Sequence, residues 1–219
     1  MTEVKDYYAL YTVFARNGIN ADRTADVADF KETLDNLDDV TVRGIYDVSA
    51  MRADADIMTW MYSTSPEKLQ AAVRTLRRTN MLSDTTVVFS AMGVHRPAEF
   101  AKDHVPAFAR GKEPENWLVV YPFVRTHEWY LMEPQERGQM LREHGALGQE
   151  FPMVLANTTS AFALGDWEWM LALESPELIH LVDMMRHLRN SETRLYVKEE
   201  VPFYTGRRIT AEEVAEVIG

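Results

Sequence analysis

Cysteine is absent from all 219 residues. That excludes disulfides, iron–sulfur clusters, thiolate zinc sites and a covalently attached c-type haem. Long apolar runs are also missing. None approaches the roughly 18 residues needed to span a bilayer, and the opening Met1-Thr-Glu-Val-Lys-Asp has no apolar secretory core. The expectation is a soluble, cytoplasmic chain without a membrane partner. Bases are scarce, with 23 Lys and Arg against 34 Asp and Glu and a net charge of −11. This opposes non-specific nucleic-acid binding, which needs a basic surface, yet leaves room for a local basic pocket. No G-x-G-x-x-G, G-x-x-x-x-G-K-[ST], H-E-x-x-H or G-x-S-x-G occurs, so nucleotide, zincin and α/β-hydrolase readings lose their main support. None of the six histidines is paired at helix-ligand spacing.

What is present is an ordinary globular composition, 46% hydrophobic and 26% charged. The length suits one large domain or two small ones. In the first half, Tyr7–Phe14, Val40–Val48, Asp56–Ser63 and Asp84–Ala91 read as strands. Ala25–Leu37 and a segment opened by Ser65-Pro66-Glu67 read as helices. The second half repeats the order. Its strands are Trp117–Arg125, Val154–Ala163, Glu168–Glu174 and Val201–Ile209. Its helices are Pro134–His144, closed by Gly145, and one from Ser175-Pro176-Glu177 to about Asn190. A shift of 110 residues lays Ser65-Pro66-Glu67 on Ser175-Pro176-Glu177 and Tyr11 on Tyr121. The fold class expected is α+β, with two ferredoxin-like β-α-β-β-α-β halves forming a dimeric α+β barrel-type subunit. The halves would be 1–95 and 117–219, joined by a connector at 96–116 that is long enough to suggest a functional role.

Several residues admit two readings on spacing alone. His144, just before Gly145, could stabilise the negative end of a helix. Equally it could be a single axial haem ligand, with its second ring nitrogen held by an acceptor. Tyr121 could be a core aromatic or a redox-active tyrosine, and Pro122 beside it should interrupt the strand or mark an edge. Arg186, beside an apolar helical stripe, could be solvated or could grip a buried anion. Arg125 follows Tyr121 by four on the same strand. His127, Glu128 and Trp129 read as an exposed turn.

One set of motifs, in one order, is far more specific than these singly. They are Tyr121-Pro-Phe-Val-Arg125, Trp129-Tyr130, Glu143-His144-Gly145, Phe162-Ala-Leu-Gly-Asp-Trp-Glu-Trp169, Met184-Met-Arg-His-Leu-Arg-Asn-Ser-Glu192 and Val201-Pro-Phe-Tyr-Thr-Gly-Arg-Arg208. Through them the chain resembles the actinobacterial coproheme decarboxylases of the chlorite-dismutase-like haem protein family. The resemblance is densest over 117–208. It implies two ferredoxin-like halves per chain and a homopentamer. It implies His144 as the proximal iron ligand, Tyr121 as the catalytic tyrosine and His104 as a distal general base and acid. Arg125, Arg186 and Ser191 would contact the porphyrin propionates. The implied reaction uses hydrogen peroxide to convert two propionates of iron coproporphyrin III (coproheme) into the vinyls of haem b. A coproporphyrin ferrochelatase, reached by transient contact, would supply the substrate. Leu155–Ser160 holds no arginine where chlorite-splitting relatives carry one. A non-catalytic haem carrier and a peroxidase-like or chlorite-splitting enzyme are the rival readings.

Overall fold

In a computed structural model, residues 6–18, 22–96 and 105–219 are described. The chain divides into two compact units, residues 1–95 with 204–219, and residues 96–203.

The first unit contains β1 (Tyr8–Arg16), α1 (Val27–Asp35), β2 (Thr41–Asp47), β3 (Ile57–Ser63), α2 (Pro66–Leu76) and β4 (Thr85–Val94). β1 lies antiparallel between β3 and β4, and β3 pairs with β2. That is the ferredoxin-like strand order. α2 begins where the sequence places it: Ser65 Oγ accepts the Lys68 N–H, and Pro66 occupies the first turn, where its missing N–H costs nothing. Strand alternation sends Leu10, Phe14, Ile45, Ile57 and Met61 to the helices, where they pack with Phe30, Leu69 and Leu76.

The second unit follows the same order with β5 (Trp117–Arg125), α3 (His127–Leu131), α4 (Pro134–Gln149), β6 (Leu155–Ser160), β7 (Trp169–Ser175), α5 (Leu178–Leu188) and β8 (Val197–Glu199). β5 pairs antiparallel with β7, β7 with β6, and β8 with the end of β5. Pro122 does not interrupt β5. It sits opposite Met170, and β8 joins only beyond it, at Val124 and Arg125.

The last strand is β9 (Tyr204–Ile209), and it closes the first unit. It pairs with β2, Ile45 opposite Ile209 and Asp47 opposite Arg207. Helix α6 (Ala211–Ile218), unforeseen in the sequence reading, follows and buries Val214 and Ile218 in the first unit's core. Its start is a capping box in which Thr210 and Glu213 satisfy each other's backbone N–H groups. β9 lies so close to β2 that a Cβ on Gly206 would stand 2.7 Å from the Asp47 carbonyl oxygen and 2.8 Å from Val48 Cγ1. Gly206→Ala should therefore destabilise the first unit by about 1–3 kcal/mol, the scale of overpacking. The measurement is a thermal melt, and an unchanged midpoint would contradict the close approach.

The strand faces also correct the Tyr11–Tyr121 correspondence. Tyr121 packs with Leu181 and Met184 of α5. Tyr11 lies outside the helix-side cluster that holds its neighbour Leu10. A shift of one residue reverses every side chain of a strand, so the shift of 110 matches the two tyrosines in sequence but not in facing.

Candidate functional site

Helix α4 does not stop at Gly145. It runs on to Gln149 and packs on α5 near Met184. His144 is thus an interior helical residue, more than a turn before the C-terminus, and the cap reading loses its geometry. Its ring is instead tied sideways. Nδ1 lies 3.3 Å from Thr193 Oγ1, and Thr193 Oγ1 lies 2.9 Å from Ser191 Oγ. Thr193 belongs to a 3-10 turn at Glu192–Tyr196 and is 3% exposed. Burial lowers the His144 pKa, and the positive charge of Arg125 adds to the effect, so the imidazole is neutral at physiological pH.

Arg125 ends β5 and reaches the same turn, donating from Nη1 to the Thr193 carbonyl at 2.9 Å. Its guanidinium lies 4.2 Å from the Trp129 ring centroid and 4.9 Å from that of Phe123. Its backbone N–H donates to Glu168, which also accepts the Tyr130 hydroxyl at 2.6 Å. Burial lowers its pKa to about 10, which leaves it a cation at neutral pH. Trp129 is therefore no exposed turn residue. It is buried in the short helix α3, whose Trp129 and Tyr130 carbonyls accept from the buried Arg137 of α4.

Tyr121 projects from β5 toward α5, 4% exposed and stacked on Phe203 with centroids 4.4 Å apart. Its hydroxyl meets Met185 Sδ at 3.6 Å, a weak acceptor. Burial drives the phenol pKa far above its ordinary value, so the O–H stays protonated at any physiological pH.

Arg125, His144 and Ser191, singled out separately in the sequence, converge on Thr193. Arg186 is exposed in the last turn of α5, one residue after the Met185 that meets Tyr121. His104 lies outside the described residues. Sequence reasoning missed Thr193, because nothing in the spacing of a hydroxyl 49 residues after His144 marks it as a partner. The stacking of Arg125 on Trp129 spans the junction between β5 and α3, where a spacing of four has no helical meaning. In the arginine-free stretch Leu155–Ser160, Asn157 is fully buried and committed to structure. It accepts from the Phe108 N–H and donates to Ala172 O and Glu174.

The arrangement suits an iron porphyrin. Such a group brings four nitrogens of its own and asks the protein for one neutral imidazole and for cations near its carboxylates. Among the described residues no cluster of three acidic or histidine side chains could hold a bare metal ion, and no helix is long and apolar enough to cross a membrane.

The chlorite dismutase family model matches residues 23–209. The chain belongs to the chlorite dismutase family. A coproheme decarboxylase of Mycolicibacterium smegmatis is 48% identical over 212 residues, which cover 94% of this chain and 92% of that protein. A putative heme-binding protein of Haloarcula marismortui is 22% identical over 193 residues, 78% of this chain and 29% of that protein. Among solved structures, a mutant chlorite dismutase from Candidatus Nitrospira defluvii superposes with a TM-score of 0.84 at 16% identity, covering 98% of this chain and 96% of that one. At that identity the likeness establishes the family's α+β fold and nothing of the reaction.

Proposed function

We propose that this protein is a coproheme decarboxylase that binds iron coproporphyrin III and oxidises two of its propionates to vinyl groups, giving haem b. The observation that carries this reading is the convergence of His144, Arg125 and Ser191 on Thr193, in the same unit as the buried phenol of Tyr121. The 48% identical decarboxylase supports it.

Each ionised propionate must release carbon dioxide, a proton and two electrons, and one hydrogen peroxide would accept the two electrons, that proton and one more from solvent, leaving as two waters. The bound iron supplies the redox chemistry that links the two. The protein's own groups do the rest. His144 Nε2 would ligate the iron, its other nitrogen being held by Thr193. Arg125, Arg186 and Ser191 hold the propionates, which a chain of net charge −11 would otherwise repel. Tyr121 would pass its phenolic hydrogen, as a proton and an electron, to the peroxide oxidant and would recover a hydrogen from a propionate β-carbon. His104 takes the proton of peroxide and returns it to the leaving oxygen, a task suited to an imidazole near neutral pH.

His104→Ala should slow the peroxide reaction while leaving coproheme binding nearly intact. The wild-type rate should fall in acid, as the imidazole becomes protonated. Stopped-flow spectra decide the matter, and equal rates for wild type and variant at neutral pH would remove this role.

The whole reading is tested by mixing the protein with coproheme and titrating peroxide. Mass spectrometry should show stepwise loss of two carboxyl groups. Binding without loss would mark a haem carrier, and peroxide consumption without loss would mark a peroxidase. The reading extends to a cytoplasmic homopentamer fed by transient contact with a ferrochelatase. The exposed apolar side chains of Leu131, Leu195 and Val201 support assembly, which sedimentation would measure.

A further inference from the structure

The link from Ser191 through Thr193 to His144 has a direction, and the direction decides whether His144 can hold iron. A neutral imidazole has one N–H and one bare nitrogen, and each hydroxyl has a single hydrogen to give. Two head-to-tail orders of the hydrogens are open along the 2.9 Å and 3.3 Å contacts, and a third in which Thr193 accepts from both sides also leaves the ring hydrogen on Nδ1. Running inward, Ser191 donates to Thr193 and Thr193 donates to Nδ1. The ring hydrogen then sits on Nε2, which has no lone pair for a metal. Running outward, Nδ1–H donates to Thr193, Thr193 donates to Ser191, and Ser191 must donate to something beyond. Nε2 is then bare.

Both hydroxyl residues are buried, Ser191 at 8% and Thr193 at 3%, so bulk water competes poorly for the chain. The turn that carries Thr193 is pinned by Arg125 through the Thr193 carbonyl, which leaves the hydroxyl for the chain. Arg125 also places a positive charge beside the ring, which disfavours an imidazolium that would donate from both nitrogens.

We infer that Thr193 is the positioning residue of the iron site, and that a porphyrin carboxylate accepting the Ser191 O–H turns the chain outward and presents His144 with a bare Nε2. An ionised carboxylate accepts and never donates, so at the Ser191 end it permits only the outward order. Seating the acidic substrate would thereby prepare its own iron ligand. This rests on the reading of His144 as ligand and Ser191 as propionate contact, and adds Thr193 and the coupling between them.

The test separates the chain from the iron bond. Nitrogen-15 NMR of histidine-labelled apoprotein reports the His144 tautomer. Metal-free coproporphyrin III, which brings carboxylates without iron, should raise the Nδ1–H population in wild type. In Thr193→Val the tautomer should no longer respond, and Thr193→Ser should restore the response. With coproheme bound, the ferrous iron–histidine stretching band should shift in Thr193→Val and return in Thr193→Ser. Affinity in the valine variant should fall about 10–100-fold, the usual effect of losing a ligand's hydrogen-bond partner. If Thr193→Val fails to fold, Ser191→Ala removes only the far end of the chain and should abolish the tautomer response with His144 still in place. An unresponsive wild-type tautomer would overturn the carboxylate's part, and a valine variant identical to wild type in both spectra would overturn that of Thr193. A His144→Ala protein with an unchanged ferrous spectrum would refute the ligand reading alone, since the apoprotein response does not depend on iron.

Discussion

Tyr121→Phe is expected to bind coproheme normally and to yield vinyl product only at background level. The substitution removes one oxygen from a ring that is 4% exposed and stacked on Phe203. The stack and the strand should persist, because shape and volume are nearly conserved. The lost contact is a hydroxyl on a thioether sulfur at 3.6 Å. Stability should change by less than about 1 kcal/mol, the scale of an ordinary hydrogen bond. The iron ligand and Arg125 are untouched, so binding and reaction with peroxide should survive. What disappears is the hydrogen on the phenolic oxygen. Burial keeps that hydrogen in place at all physiological pH, so the group is always loaded as a hydrogen donor and never wasted as a phenolate. A core tyrosine with no chemical part would predict normal turnover. Melting temperature and vinyl product, measured on the same variant, separate the two, and near-wild-type conversion would remove Tyr121 from the mechanism.

His144→Ala is expected to abolish the axial band and weaken retention of product haem more than that of coproheme. The product has exchanged two propionates for vinyls and so has fewer handles for Arg125, Arg186 and Ser191. It depends more on the iron bond. In the variant Thr193 and Ser191 keep each other as partners, so the turn at Glu192–Tyr196 should stay ordered. Exogenous imidazole, entering the space left by the ring, should restore part of the axial band. A haem spectrum and affinity equal to wild type would show that His144 is not the ligand. The neutral state of His144 also fixes the pH response. Its pKa is depressed by burial and by Arg125, so a ring competent to bind iron persists below the ordinary imidazole pKa. Axial ligation should therefore hold across neutral pH and fail only in acid.

Local chemistry made much of this molecule legible from its sequence. Ser65 and Pro66 announce α2, aromatic and β-branched residues announce β1 and β5, and two rounds of the same element order announce paired ferredoxin-like units. The motifs from Tyr121 to Arg208 carried the family. Each of these signals lies within a few residues of what it describes.

The failures are all non-local. The pairing of β9 with β2, some 160 residues earlier, was not foreseen, because it runs through backbone bonds that no side-chain pattern encodes. Gly145 reads as a helix stop, since glycine weakens helices by about 1 kcal/mol. Packing of α4 on α5 outweighs that cost and carries His144 into the helix interior. Trp129 looked exposed beside His127 and Glu128, until Arg125 covers its face and Arg137 satisfies its carbonyl. The sequence by itself therefore determined most element types, the duplicated order and the family, because propensity, capping and motif are short-range properties. Only the tertiary structure decided that Thr193 holds His144, that the imidazole is neutral and that Tyr121 faces the helices while Tyr11 does not. Hydrogen-bond partners, burial and strand facing depend on which distant segments meet.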